Sequence, residues 1–182
     1  MSKKKRSQLK IIMDHVEEPK SDLDVDHHNE PWKFLFAVIL SSQTTDVLVN
    51  KVTPGMFEKF PTLQSFADAD WEDVGATINQ LSFWRNKSKN LIKCANQLIN
   101  DHGSIVPSDI KSLTGLAGVG RKVANVILNC IYAQPGIVVD THVSRVARRL
   151  NWTKETNATK IEFALAKWIP KKIQSEASNS LV

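Results

Sequence analysis

Apolar residues recur at helical spacing along most of the chain, and the two-residue alternation that is typical of strands never lasts long enough to predict a sheet. Pro31 opens an apolar run that predicts a mostly buried helix ending near Ser41. The apolar face of the following helix is predicted to carry Val47, Leu48, Val52, Met56 and Phe57. Later helices are predicted from Trp84 to Ile99, Arg121 to Tyr132, Thr141 to Leu150 and Ala158 to Ile169. The sequence therefore predicts an all-α fold.

Length and charge narrow the classes of protein that this chain can be. Its 182 residues include 24 Lys and Arg against 19 Asp and Glu, a formal net charge of +5, which suits a polyanionic partner and equally a solvated surface. The longest apolar run, Phe34 to Leu40, is much shorter than the roughly 20 residues of a membrane helix. The basic start, Lys3 to Arg6, lacks the apolar core of a secretory signal and is interpreted as a nuclear signal or, more simply, a solvated or DNA-touching arm. We therefore expect an intracellular protein, cytoplasmic in a bacterium and nuclear or organellar in a eukaryote.

The most informative segment runs from Leu113 to Asn129 and reads Leu-Thr-Gly-Leu-Ala-Gly-Val-Gly-Arg-Lys-Val-Ala-Asn-Val-Ile-Leu-Asn. It predicts two helices joined by a hairpin that is too tight for side chains at Gly118 and Gly120. The N–H groups of the hairpin and of the second helix's first turn then point outward together, which suits a phosphate oxygen. The simpler alternative is that the glycines serve backbone geometry alone.

Two residues near this hairpin have the chemistry of a catalytic pair. Lys122 follows the hairpin directly, at the helix end whose dipole disfavours an extra positive charge, so its amine is a candidate nucleophile. Asp140 ends an apolar approach and begins another helix, where its simplest role is that of N-cap. If the two helix starts face each other, an amine and a carboxylate meet as covalent chemistry at a sugar carbon requires.

These residues belong to motifs that resemble the endonuclease III family of DNA glycosylases with abasic-site lyase activity. The hairpin Leu-Ala-Gly-Val-Gly-Arg-Lys is followed at the right distance by Val-Val-Asp-Thr-His-Val. Upstream, Leu40 to Asp46 is similar to the family's Leu-Ser-x-Gln-x-x-Asp segment, and Ser82 to Ser88 to its Gly-Phe/Leu-Trp/Tyr-x-x-Lys-Ala loop. The resemblance extends from about Pro31 to Lys172.

The resemblance implies an activity and residues that carry it. Lys122 would attack C1′ of the damaged nucleotide, and Asp140 would help deprotonate it or stabilise the positive sugar. The enzyme would remove oxidised pyrimidines and cleave the abasic site by β-elimination. Gln43 and Phe83 would enter the duplex when the base leaves the stack. Two alternatives stay open: a glycosylase for mismatched or alkylated bases, and a non-catalytic DNA-binding remnant.

The resemblance also implies how the chain meets DNA. Its partner would be double-stranded DNA carrying a damaged base or an abasic site. The chain would bind this DNA as a monomer, and it would not interact with a membrane. The candidate DNA contacts are Gln43, Phe83, Gly118, Val119, Gly120, Arg121, Lys87 and Arg145, with Lys89, Arg148 and Arg149 as further candidates for phosphate. The hairpin carbonyls of Thr114, Leu116 and Val119 are candidates for a monovalent cation.

The implied architecture has two helical lobes with the catalytic cleft between them. Residues 24–134 would form a six-helix bundle with the hairpin motif at about 109–133, and residues 1–23 with 135–182 would form the second lobe. Most family members continue into a further helix and a four-cysteine loop that holds a [4Fe-4S] cluster, whereas no cysteine follows Cys130 here. We therefore predict no cluster, no other cofactor and a truncated second lobe, with Phe163, Leu165 and Trp168 partly uncovered.

Overall fold

The computed structural model describes residues 3–15, 23–26 and 28–181. Within these residues all regular structure is helical and no strand occurs, so the all-α prediction is confirmed. The helices in chain order are α1 (Lys3–His15), α2 (Pro31–Ser41), α3 (Asp46–Lys59), α4 (Leu63–Ala67), α5 (Trp71–Thr77), α6 (Trp84–His102), α7 (Ile110–Gly115), α8 (Arg121–Tyr132), α9 (Thr141–Arg149), α10 (Ala158–Ala166) and α11 (Gln174–Asn179). A 3-10 turn at Lys171–Ile173 precedes α11.

The chain divides into two compact units. One, which we call the central unit, is Asp22–Ile127, and the other, the terminal unit, combines Met1–Ser21 with Leu128–Val182. The division falls inside α8, seven residues before the boundary placed at 134 from the sequence. The last turn of α8 is bonded to the segment that follows it, because the Gln134 N–H donates to the Leu128 carbonyl at 2.9 Å and the Asn129 amide donates to the Gly136 carbonyl at 3.2 Å.

The core of the central unit forms around α2. All residues from Phe34 to Leu40 are buried, as expected for a helix that is apolar on every side. Phe36 packs edge to face against Phe66 of α4, with ring centroids 5.0 Å apart. Edge-to-face packing is favourable for aromatic pairs, and it extends to Trp32 and Phe57, whereas the Phe60 ring lies tilted against Phe66.

One predicted core position in α3 is wrong. Val47 is 79% exposed, and Val49 is buried in its place. Val49, Val52 and Met56 recur at intervals of three and four residues and therefore share one face, whereas Val47 lies on the opposite side of the helix. The error arises because neighbouring valines leave the register of the apolar face open when it is read from sequence.

The start of α6 is held by a close approach between helices. A Cβ atom on Gly75 of α5 would lie 2.6 Å from the Trp84 ring, so only glycine lets the indole pack there. The same ring stacks on Trp71 with centroids 6.3 Å apart. Trp84 thus anchors the first turn of α6, directly after Phe83.

The terminal unit is built from both ends of the chain. Leu9 of α1 is buried, the Lys5 ammonium donates to the Trp152 carbonyl at 2.8 Å, and the Trp152 indole N–H donates to the Gln8 side chain at 3.0 Å. The basic start therefore includes a lysine that is bonded to the core of its own unit, rather than only a solvated arm.

Residues near the C-terminus complete the core of the terminal unit. Ala177 and Leu181 are buried in the same cluster as Val143, Ile161 and Leu165. The expectation that Leu165 is partly uncovered is therefore wrong, since it lies one helical turn after Ile161 on the buried face of α10. Phe163, on the other face, is 53% exposed, and Trp168 is half-buried.

Candidate active site

The glycine hairpin links α7 to α8 inside the central unit. Gly118 has φ of +79°, and a Cβ atom there would lie 3.1 Å from the Ile39 side chain and 3.2 Å from that of Asn90. A left-handed φ with this crowding requires glycine. Gly120 differs, because a Cβ atom there would contact nothing within 4 Å. The prediction that both glycines are needed for a tight turn therefore holds at Gly118 and is wrong at Gly120.

The hairpin is held from outside by a residue that sequence reasoning missed. The side chain of Gln97 on α6 accepts a hydrogen bond from the Ala117 N–H at 2.8 Å and donates one to the Gly115 carbonyl at 3.1 Å. One amide thus bonds the backbone on both sides of Leu116. No motif in the sequence marks Gln97, because an exposed-face glutamine on a long helix has no distinguishing pattern.

Val119 holds the hairpin together from inside. Its side chain is buried, and its N–H donates to the Leu116 carbonyl at 3.1 Å. Val119 therefore does not offer a free N–H to DNA, contrary to its assignment as a contact. The first-turn N–H groups of α8 are a separate set of donors, since the first turn of any α-helix lacks intrahelical acceptors for its N–H groups.

Lys122 lies in the first turn of α8 with its side chain exposed. Val123, Ala124 and Ile127 are buried on the other face of the helix. Their burial fixes which face of α8 is exposed. The amine of Lys122 is thereby presented at the helix N-terminus, directly after the hairpin. The fold thus exposes the Lys122 side chain to solvent, whereas Val123 and Ala124, which follow it, are in the core.

Asp140 begins α9 in the terminal unit and acts as its N-cap. One carboxylate oxygen accepts a hydrogen bond from the Val143 N–H at 2.8 Å. Ile137 and Val139 are buried on the extended approach to this cap. The structural role anticipated for Asp140 is therefore real, and it fixes the carboxylate while leaving its second oxygen outside the capping bond.

A pocket of about 660 Å³ opens beside Asp140 within the terminal unit. Its lining residues are Val139, Asp140, Thr141, Ser144, Arg145, Arg148, Arg149 and Ala158. The three arginines come from α9, and their side chains are exposed. The Arg145 guanidinium lies 2.9 Å from Nδ1 of His142. A pocket lined by three arginines and one aspartate suits a ligand that is itself anionic.

Gln43 and Phe83 are presented by two turns of the central unit. Gln43 lies between α2 and α3, and Phe83 precedes α6 as its N-cap. Both have left-handed backbones, with φ of 56° and 57°, and Phe83 is 62% exposed. Such a φ is uncommon for residues other than glycine and costs about 1–3 kcal/mol. Phe83 and Trp84 do not form a core pair, because Trp84 packs inward against Trp71 whereas Phe83 is exposed.

Lys87 is not placed as a phosphate contact. Its side chain is 6% exposed, and its ammonium donates to the Leu40 carbonyl and to the Thr44 hydroxyl, each at 2.8 Å. Burial lowers the pKa of Lys87 to about 8. The sequence prediction failed because a lysine stem is long enough to turn its charge inward to a helix C-terminus, where carbonyls lack intrahelical donors.

The cysteines of this chain do not fit an iron-sulfur cluster. Cys94 is buried in the central unit, where burial raises the pKa of its thiol to about 12, and burial also raises the pKa of Cys130 in the terminal unit. A [4Fe-4S] cluster needs four ligands, commonly thiolates, and the 182 residues contain two cysteines. Among the residues that the structure describes, no group of three or more His, Cys, Asp or Glu lies together as metal ligands would.

No helix in the described part of the chain is long and apolar enough to span a membrane.

Known proteins are similar to this chain over most of its length. Residues 36–171 match the model of the HhH-GPD superfamily of base excision DNA repair proteins. Endonuclease III of Haemophilus influenzae is 36% identical over 183 residues, which span the whole of this chain and 85% of the relative. The chain belongs to the endonuclease III family. It is therefore an enzyme of base excision DNA repair.

Solved structures of endonuclease III confirm the fold. A non-covalent complex of endonuclease III with DNA superimposes with a TM-score of 0.90 and 35% identity, covering all of this chain and 85% of that one. A trapped covalent intermediate of endonuclease III with DNA gives a TM-score of 0.88 at the same identity and coverage. The helix-hairpin-helix glycosylase fold expected from the sequence is thus the fold that the chain adopts.

Proposed function

We propose that this enzyme is a bifunctional DNA N-glycosylase that removes oxidised pyrimidines and then cleaves the abasic site. The observation that carries the proposal is the exposed amine of Lys122 in the first turn of α8, directly after the Gly118 hairpin. The hairpin suits a DNA phosphate, so the amine stands next to the backbone of the nucleotide it would attack. The trapped covalent intermediate formed by the relative supports a covalent route.

The proposed reaction proceeds through an imine at Lys122. The neutral amine attacks C1′, the glycosidic bond breaks, and the base leaves with that bond's electron pair and takes up a proton. The sugar ring then opens, and the lysine nitrogen becomes the imine nitrogen. Loss of a proton from C2′ expels the 3′ phosphate by β-elimination and nicks the strand. Water finally releases Lys122 as a free amine.

Asp140 is proposed as the carboxylate of this reaction. Its capping bond to Val143 holds it in one orientation without using both oxygens. A carboxylate held in this way can accept the proton that Lys122 must lose, or stabilise the positive charge that develops on the sugar. In this proposal Asp140 first accepts the proton from Lys122 and then stabilises the positive charge on the sugar.

The proposed DNA partner is bound by backbone donors, cations and inserted side chains. First-turn N–H groups of α8, together with Gly120 and Arg121, contact phosphate at the helix N-terminus. Arg145 and the pocket arginines on α9 contact further phosphates. Gln43 and Phe83 fill the space that opens when the damaged base leaves the stack. The Thr114, Leu116 and Val119 carbonyls remain our proposed site for a monovalent cation, and a monomer is the proposed active form.

The proposed substrate is tested by comparing lesions in otherwise identical duplexes. Purified protein is incubated with duplexes that carry thymine glycol, a T·G mismatch or a methylated purine, and each sample is analysed with and without hot alkali. We expect strand cleavage without alkali for thymine glycol only. Cleavage that needs alkali would indicate base removal without lyase chemistry, and a preference for either of the other substrates would reject the oxidised-pyrimidine assignment.

A further inference from the structure

Two exposed turns of the central unit are joined through one buried side chain. We define the Gln43 turn as residues 42–45 and the Phe83 turn as residues 82–84. The Lys87 N–H donates to the Phe83 carbonyl at 3.0 Å, and its ammonium donates to the Leu40 carbonyl and the Thr44 hydroxyl. Lys87 is therefore bonded to the Phe83 turn by its backbone and to both sides of Gln43 by its side chain.

The Gln43 turn is bonded through its backbone to the helices on either side of it. The Ser42 N–H donates to the Ile39 carbonyl at 3.4 Å and the Thr44 N–H to the Ser41 carbonyl at 3.1 Å, and the Thr45 carbonyl accepts from the N–H groups of Leu48 and Val49 at 3.0 and 3.1 Å. None of these bonds reaches the Phe83 turn. The Leu40 carbonyl lies in the last turn of α2, where a cation is favoured by the helix dipole. An ammonium with three donors is suited to bind a carbonyl and a hydroxyl on either side of one residue.

Each turn carries an exposed side chain on a left-handed backbone. Gln43 and Phe83 are both exposed, and both have φ near +56°. The hydrogen bonds of Lys87 connect these two turns directly.

We propose that Lys87 is a positioning residue that joins the Gln43 turn to the Phe83 turn, so that both side chains enter a DNA duplex as one rigid pair. This proposal rests on the proposed function, in which Gln43 and Phe83 fill the space left by the damaged base. Lys87 itself does not touch DNA. It acts by holding the two turns at a fixed separation through the Thr44 hydroxyl and the Leu40 carbonyl.

The test uses a duplex with 2-aminopurine opposite a tetrahydrofuran abasic analogue, since 2-aminopurine brightens when it is unstacked. Lys87→Met is compared with Lys93→Met, which removes an exposed charge from the same helix. At saturating protein, we expect Lys87→Met to lose most of the fluorescence increase. Single-turnover removal of thymine glycol should slow by tenfold to a hundredfold, on the order expected for a small misplacement. Lys93→Met should stay within about twofold of wild type.

A second pair of variants keeps Lys87 and removes one bond. Thr44→Val deletes the hydroxyl, whereas Thr44→Ser retains it. Thr44→Val should share the loss of fluorescence seen in Lys87→Met, and Thr44→Ser should behave like wild type. This pair decides the question even if Lys87→Met does not fold by circular dichroism.

A double-mutant cycle separates positioning from general stability. In a Phe83→Ala background, Lys87→Met should have little further effect on the rate, because the side chain that Lys87 positions is already absent. An undiminished effect in that background would overturn the proposal. The proposal would also be overturned if Lys87→Met and Thr44→Val gave the same fluorescence increase and rate as Lys93→Met. If wild type unstacks 2-aminopurine but does not cleave thymine glycol, the proposed activity fails and the positioning role stands or falls on the fluorescence alone. If wild type does not unstack the probe, the positioning role fails as well.

Discussion

The Asp140 carboxylate accepts a hydrogen bond from the Val143 N–H at 2.8 Å, and this bond begins α9. One residue is therefore both a helix cap and the proposed catalytic carboxylate. The two roles need different atoms, because a cap needs one oxygen acceptor whereas proton transfer needs a charged carboxylate. They can be separated by substitution.

Asp140→Asn keeps an oxygen that can cap α9 and removes the charge. We expect its free energy of unfolding to stay within about 0.5 kcal/mol of wild type, whereas Asp140→Ala should lose about 1 kcal/mol. Both variants should lower single-turnover base removal by about 10²–10⁴-fold. Urea titration and single-turnover kinetics measure the two quantities. If Asp140→Asn keeps wild-type activity, Asp140 is only a cap.

Gly118 in the hairpin and Gly115 at the end of α7 are expected to differ in their tolerance of alanine. Gly118→Ala should destabilise the protein by about 1–3 kcal/mol, because it combines a left-handed φ with contacts to Ile39 and Asn90 near 3.1 Å. Gly115→Ala, at the end of α7 with no atom within 4 Å of the new Cβ, should be neutral or stabilising by up to about 1 kcal/mol. Urea denaturation of the two variants in parallel checks the sign and the order. Equal destabilisation at both positions would contradict the hairpin geometry.

The arginines beside Asp140 are expected to bind DNA through phosphate. Arg145→Ala should reduce the magnitude of the slope of log binding constant against log salt by about 0.9 if it neutralises one phosphate. Lys59→Ala is the control, since the Lys59 ammonium already lies 3.0 Å from the Asp73 carboxylate. Fluorescence anisotropy at several salt concentrations measures both slopes. A slope for Arg145→Ala equal to that of wild type would remove Arg145 from the interface.

Buried Lys87 makes stability depend on pH in a defined direction. Its pKa in the folded protein, about 8, lies below the ordinary 10.5, so the unfolded chain holds more protons between these values. Stability contributed by this group should therefore rise with pH through that window and stay constant below pH 8. The difference in free energy of unfolding between wild type and Lys87→Met should grow in favour of wild type from pH 8 to pH 10. A difference that shrinks over this range would show that Lys87 is not desolvated as described.

Much of the fold follows from local pattern. The proline at the start of α2, the run from Phe34 to Leu40 and the spacing in α8 each predict a helix without knowledge of its neighbours. The register of α3 did not follow, because adjacent valines satisfy the apolar period in more than one way and only the neighbouring helices decide between them. Leu165 was misjudged for a related reason, since its cover comes from residues near the end of the chain, such as Ala177 and Leu181.

Residues of the candidate site could be predicted from sequence where a rule about the local backbone applies to them. Gly118, with its left-handed φ, and Asp140, as a cap, are positions that local rules identify. Lys87 was assigned the wrong role and Gln97 was not identified, because each acts through a side chain that reaches residues 18 to 47 positions away. Sequence shows that a lysine is charged, whereas only the fold shows where its ammonium lies.

The central claim is that Lys122 forms a covalent imine with the sugar. Wild type and Lys122→Ala are each incubated with a duplex that carries a single abasic site, in the presence of borohydride, and the adduct is mapped by peptide mass spectrometry. We predict a covalent adduct on Lys122 in wild type and none in folded Lys122→Ala that still binds the duplex. An adduct of equal yield in Lys122→Ala, or no adduct from folded wild type that binds the duplex, would contradict the mechanism.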